Sequence, residues 1–215
     1  MRTDRFLVLG LSEPTLTMIL DNLESCGLFP HVRIVNNLAR TSLLAFTNPL
    51  FEIDVVNSPD DLDLEADAFL GVNKPASKAA VYELFKAHDL KFTTITHRSS
   101  AISSTAQLGT GVHVNSLVSI AAFASIGNFA SINRNASVGH HTEVGDFATI
   151  NPGANVAGFV RIGRGAHIGL GANIVDGIEI GAHTIVGAGS LVTRNLPPGV
   201  VAHGNPCRVV RSDEA

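Results

Sequence analysis

The chain has no tryptophan, one tyrosine, and an aromatic content of only 6% over 215 residues. A core built on large rings is thereby excluded. The 45% hydrophobic content must come from aliphatic and small residues. The two cysteines, Cys26 and Cys207, lie far apart, which is neither a disulfide framework nor a metal-ligand spacing. Basic charge is scarce. Fifteen Lys and Arg against nineteen Asp and Glu give a net charge of −4, which excludes the electrostatic footprint of a nucleic-acid binder. No apolar run approaches the ~20 residues of a membrane span. The opening MRTDRFLVLGLSEPT is too short in apolar residues for a secretory signal, and acidic Glu13 follows soon. The expectation is a cytoplasmic protein of one large domain or two small ones.

What the chain has in abundance is a period of six. Every sixth residue from Ile102 to Val192 is Ile, Leu or Val, sixteen in succession. If such residues are about a quarter of a chain, chance gives this at a level on the order of 10⁻¹⁰. Four places later the residue is mostly small, as at Ala124, Ala148 and Ala166, and Gly often follows the aliphatic residue. One large side chain per hexad would point inward, a small residue would fit the narrow interior, and Gly or Asn would supply unusual backbone angles at corners. This pattern predicts a left-handed parallel β-helix of hexapeptide repeats from about Ile102 to Leu196. Three hexads make one coil, so residues n and n+18 stack ~4.8 Å apart. The register never slips, which leaves no place for a long loop. Period six and the glycine density exclude an α-helical reading.

The first hundred residues read differently. RFLVLG (5–10), HVRIVNN (31–37), FEIDVV (51–56) and DAFLGV (67–72) read as strands, and FTTIT (92–96) leads toward the repeat. Helices are expected over 14–25 and 74–87, the second with Val81, Leu84 and Phe85 on one face. Alternating strands and helices predict a small α/β domain with a Rossmann-like parallel sheet over 1–97, followed by the β-helix and its tail over 98–215. Gly10 after the first strand invites a phosphate-loop reading. The run has one Gly and Glu13 would repel a phosphate, so a plain strand-to-helix turn with Ser12 as N-cap is an equal reading.

The informative part of the repeat is Gly139-His140-His141-Thr142-Glu143. The two imidazoles flank a corner, so at least one should be accessible. An imidazole, with an ordinary pKa near ~6.5, suits general-base work at neutral pH. Gly158 lies eighteen residues beyond His140, so its N–H is expected one coil further along, where it would hold a thioester carbonyl as charge develops. Asn115, Asn133 and Asn151 share a column. Stacked amides commonly bond along a solenoid axis, with Asn133 the member worth testing. His140, His141, His167 and His183 raise a zinc site, but no two are eighteen apart, so no metal is expected within one chain.

These residues carry a resemblance. The α/β domain, the linker ITHRSSAISSTAQLG, the segment SVGHHTEVGDFATINPGANVAG and the ending GAGSLVTRNLPPGVVAHGNPCRVV together resemble the nucleotide-sugar N-acetyltransferases of the sialic-acid and bacillosamine type. The resemblance implies a homotrimeric acyltransferase serving cell-surface polysaccharide biosynthesis. It would use acetyl-CoA as co-substrate to acetylate an amino sugar on a nucleotide, such as a UDP-4-amino-4,6-dideoxy sugar. Nucleotide would sit on the first domain and CoA in the groove between solenoids. By position, His140 matches the base, Asn133 a polar residue of the same pocket and Gly158 the donor to the acetyl carbonyl. Arg208, in GNPCRVV, matches a basic residue near the CoA nucleotide. Thr149 and Ala166 fall on the CoA side, and Gly10, Ser12, Asn36, Asn37 and Asn73 on the sugar-nucleotide side.

The chain departs from the family pattern at defined places. The acid after the base is His141, so Glu143 would have to substitute, or none does. A second family His is Thr149. The glycine-rich turn is reduced to Gly10, and the paired acids after the second strand are Asn36 and Asn37. Two further readings stay open: acyl transfer to a non-nucleotide acceptor, and a non-catalytic binding module.

Overall fold

The computed structural model describes residues 5–10, 12–28, 30–36, 50–56 and 62–212. Five parallel strands form the first sheet: β1 (Arg5–Leu9), β2 (His31–Val35), β3 (Ile53–Val56), β4 (Asp67–Leu70) and β5 (Lys91–Phe92), in the order β3-β2-β1-β4-β5. Period-two alternation divides β1 between two cores. Phe6 and Val8 pack with Leu16, Ile19, Leu20 and Leu23 of α1 (Glu13–Ser25). Leu7 and Leu9 pack with Val81 and Phe85 of α2 (Pro75–Phe85). Strand order reverses between β1 and β4, the position outside whose carboxyl ends open parallel sheets commonly bind ligands.

One expected helix face is corrected. Leu84 is 61% exposed. The inward face of α2 is Lys78, Val81 and Phe85, a spacing of three and four that puts a lysine where the pattern calls for an apolar residue. The segment 92–96 is shared between two sheets. β5 ends in the first sheet, and β6 (Ile95–Thr96) pairs with β9 (His113–Val114) in the second unit. The chain changes sheets at two threonines. The Thr93 N–H donates to Ala68 O, and the Thr94 hydroxyl donates to Gly109 O.

From β6 onward the chain is a parallel β-solenoid. Two-residue strands recur every six residues from Ala101–Ile102 to Leu191–Val192. They build three sheets, and each strand pairs with the one eighteen residues away, as Ser131 with Thr149 and Thr149 with His167. The inward aliphatic column is one continuous core with the small residues Ala124, Ala148 and Ala166. The last coil is finished by β23 (Val200–His203) and the antiparallel β24 (Arg208–Ser212).

The corners hold a surprise in residue type. The expected glycine and asparagine occupy some of the left-handed positions. Leu117, Phe123, Phe129, His141, Phe147, Phe159 and His183 also adopt φ between 56° and 60°. A left-handed conformation costs an L-residue roughly 1–2 kcal/mol. Stacking offsets it: Phe129 and Phe147 lie 5.2 Å apart and nearly parallel, and His141 stacks on Phe159 at 4.8 Å. Aromatic pairs contribute about 0.5–1.5 kcal/mol beyond area burial.

That same seam joins the two units. Tyr82 of α2 packs on Phe129 and Phe147, and Phe92 meets Phe129 edge-on. On the other side of the first sheet, the Asn22 amide of α1 donates to Val114 O. Four of the scarce aromatic residues, Tyr82, Phe92, Phe129 and Phe147, thus lie where the α/β unit meets the solenoid.

Candidate active site

His140 and His141 follow the strand Ser137–Val138 and turn one solenoid corner. Both are exposed. His141 takes φ 59° and is held between Phe123 at 5.0 Å and Phe159 at 4.8 Å. His140 meets Phe159 edge-on at 5.0 Å. The Nδ1 atoms of the two imidazoles are 3.2 Å apart.

The expected stacking over Gly158 is present. A Cβ at Gly158 would lie 2.7 Å from His140 Cε1 and 2.9 Å from Nε2. Only glycine lets the ring settle there. The Phe159 N–H donates to His140 O and fixes the two coils against each other. Among the described residues the Gly158 N–H has no acceptor. An imidazole nitrogen and an unspent N–H donor therefore lie together on adjacent coils. Beside them runs a groove of about 1010 Å³, lined by His141, Glu143, Phe159, Arg161 and Arg164 among others.

The remaining expected residues fall elsewhere. Asn133 is buried at the preceding corner; its amide donates to Ile150 O and accepts from Asn115. Glu143 is exposed on the next strand, with its carboxylate 4.0 Å from Arg161. Ala166 is fully buried in the solenoid interior. Arg208 is exposed on β24 and donates to Cys207 O.

Gly10, Ser12, Asn36 and Asn73 gather around the carboxyl ends of β1, β2 and β4. The Gly10 N–H donates to Val35 O, and the Ser12 N–H to Gly71 O. A Cβ at Gly71 would run into the Gly10 carbonyl. Ser12 stands at the N-cap of α1 with no side-chain capping bond. Asn36 is buried, and its N–H donates to Val56 O. Asn37 lies outside the described residues.

Thr149 and Asn73 meet in a buried cluster that sequence reasoning missed. The Thr149 hydroxyl donates to Asn73 O. Lys78, 2% exposed, donates from Nζ to Ser131 Oγ, Ala148 O and Thr149 Oγ1 at 3.0–3.1 Å. Burial holds its pKa well below the ordinary value. His113, also buried, is pushed down to about 3 by burial and then by the Lys78 charge. Burial, followed by Lys78 and Lys74, lowers His167 as well. The signal available in sequence was the i, i+3, i+7 spacing of Lys78, Val81 and Phe85, together with the column His113, Ser131, Thr149, His167.

PerB from Caulobacter crescentus, in a structure with CoA and GDP-perosamine, is 30% identical over 95% of this chain and 96% of its own, with a TM-score of 0.80. The chain belongs to the nucleotide-sugar N-acetyltransferases of the left-handed β-helix type. The acetyltransferase domain of PglB from Neisseria gonorrhoeae shares the fold at 22% identity, covering 97% of this chain and all of that one, with a TM-score of 0.86. WeeI from Acinetobacter baumannii does so at 21% identity, covering 95% and 99%, with a TM-score of 0.81. No family model matches the chain, and no curated protein matches it. Among the described residues of this N-acetyltransferase family member, no three His, Cys, Asp or Glu side chains group as metal ligands. Nor is any helix long and apolar enough to cross a membrane.

Proposed function

We propose that this chain transfers the acetyl group of acetyl-CoA to the amine of a nucleotide-linked amino sugar, with His140 as general base. The observation that carries the reading is His140 seated on Gly158 beside an unspent N–H. PerB, its relative at 30% identity, is seen with CoA and GDP-perosamine. The neutral sugar amine attacks the thioester carbonyl, and a C–N bond forms. His140 Nε2 takes the amine proton while the Gly158 N–H donates to the developing oxyanion. Collapse breaks the C–S bond, and the proton passes to the departing thiolate.

The first ninety-seven residues are read as a Rossmann-like unit holding the nucleotide, and residues 98–215 as a left-handed β-helix holding CoA, with Arg208 toward the CoA nucleotide. Gly10, Ser12 and Asn73 support the first assignment by their place at the strand-order reversal. Asn73 Oδ1 is buried without a hydrogen-bond partner among the described residues. Asn36 and Asn37 would continue that site along the end of β2. Ala166 is read as shaping the solenoid from within, and Thr149 as tying its outer face to Lys78 and Asn73. Asn133 is read as a rung of the amide ladder.

The trimer reading is supported by exposed apolar corners, with Leu117, Phe123, Phe159 and Leu170 each about 60% exposed. Patches of this kind mark association surfaces, and light scattering should give three times the chain mass. A cytoplasmic site follows from where acetyl-CoA and nucleotide sugars are used. To test the activity, purified protein is given acetyl-CoA and a panel of UDP-, dTDP- and GDP-linked amino sugars, with free amino sugars as controls. Thiol release should require the nucleotide-linked amines. Equal release with free amines would instead favour a non-nucleotide acceptor.

A further inference from the structure

We infer that His141 is the positioning residue for His140: its neutral Nδ1 accepts the His140 Nδ1–H and so leaves His140 Nε2 bare, on the side of Gly158. This rests on the reading of His140 as the base.

The geometry is specific. The Nδ1 atoms face each other at 3.2 Å, so one must donate and the other accept. The Cε1 end of the His140 ring lies over Gly158, with Nε2 at 2.9 Å and Nδ1 at 3.1 Å from where a Cβ would stand; with Nδ1 engaged by His141, Nε2 is the nitrogen left to offer its lone pair. Only the arrangement with the proton on His140 Nδ1 meets both needs. A hydrogen bond at one imidazole nitrogen sets the state of the other. His141 is itself locked. Its ring lies between Phe123 and Phe159, and it meets His140 nearly at right angles. Glu143 does not take this part, because its carboxylate is directed to Arg161 on the adjacent strand.

The charged groups on the same groove are Glu143, Asp146, Arg161, Arg164 and Glu179. Glu143 is paired with Arg161, and Asp146 with Arg164. Neither pair contacts the His140–His141 bond.

An imidazole in this place has a consequence that a carboxylate there would not have. A proton on His140 Nε2 removes the base. A proton on His141 Nδ1 sets two donors against each other and breaks the pair. The acid limb of activity should therefore fall with two protons rather than one.

Two substitutions separate this from a structural role. His141→Phe keeps the aromatic stack, and Phe already adopts the same left-handed φ at four equivalent corners. It removes the acceptor nitrogen. His141→Asp supplies a different acceptor, and Asp tolerates that φ.

The substrate-free measurement is two-bond ¹H–¹⁵N NMR on histidine-labelled protein at pH 8. Wild type should show His140 as the Nδ1–H tautomer and His141 as the Nε2–H tautomer. In His141→Phe, His140 should move toward the Nε2–H form. The kinetic measurement uses acetyl-CoA and GDP-perosamine, or whichever panel sugar gives thiol release. His141→Phe should lose about ten- to a hundredfold in kcat with KM within about twofold. His141→Asp should recover most of kcat with a one-proton acid limb. The proposal is overturned by His140 carrying its proton on Nε2 in the wild type. Unchanged kcat and an unchanged acid limb in His141→Phe overturn it equally. Full activity of His140→Ala would instead overturn the base assignment itself, so the two failures are distinct.

Discussion

His113 shows what a single buried residue does to this protein. It sits in the solenoid's outer column, meets Phe69 edge-on at 5.2 Å, and has no hydrogen-bond partner at Nε2 among the described residues. Its pKa is held down to about 3, while an unfolded histidine titrates near ~6.5. Below ~6.5 the unfolded chain binds a proton that the folded one refuses. Stability is therefore full above that pH and falls as pH drops toward 3, by up to roughly 5 kcal/mol. His113→Phe keeps the ring contact and removes the titration. Urea midpoints measured between pH 7 and 4 should fall less in the variant than in wild type. Parallel pH curves for the two would contradict the burial argument. None of this was legible in the sequence, because a histidine in a solenoid strand faces solvent unless another element covers it, and the cover here comes from Phe69 of β4, in the other unit.

At the scale of elements, the six-residue repeat was readable in full and α2 was not. A solenoid repeats one local packing problem, so the sequence shows each answer many times. Helix α2 solves a unique one. Leu84 looked inward on apolarity alone, yet the inward position is Lys78, whose three donors meet Ser131, Ala148 and Thr149. Among the described residues Lys78 has no carboxylate partner, and its lowered pKa comes from burial. The Ala148 carbonyl also accepts the Ser131 N–H, and the Thr149 hydroxyl also reaches Asn73 O. Removing the lysine thus leaves few groups unpaired, and relief from burying a charge should outweigh the lost bonds. Lys78→Met is expected to be about 1–3 kcal/mol more stable at pH 7. Wild-type stability should rise with pH between the lowered folded value and ~10.4, where the unfolded chain binds the extra proton. The variant should lack that rise. A loss of stability in Lys78→Met, seen by thermal or urea melts, would mean that the hydrogen bonds outweigh the desolvation.

For the whole molecule, the eighteen-residue repeat is enough to set His140 over Gly158 from the sequence. It could do so because both residues belong to the repeat. The gathering of Gly10, Ser12, Asn36 and Asn73 depends on strand order, which the sequence does not state. The imidazole pair was visible as two adjacent letters, but its meaning came from the left-handed φ at His141 and the phenylalanines on either side. The central claim is that one imidazole on this scaffold performs proton transfer in acetylation. Its most direct test is kcat for His140→Ala, with acetyl-CoA and the nucleotide-linked amino sugar selected by the acceptor panel. The oligomer is checked in the same sample. The account predicts a fall of about 10²–10⁴-fold in kcat with assembly intact. A His140→Ala protein that turns over at close to the wild-type rate would contradict it.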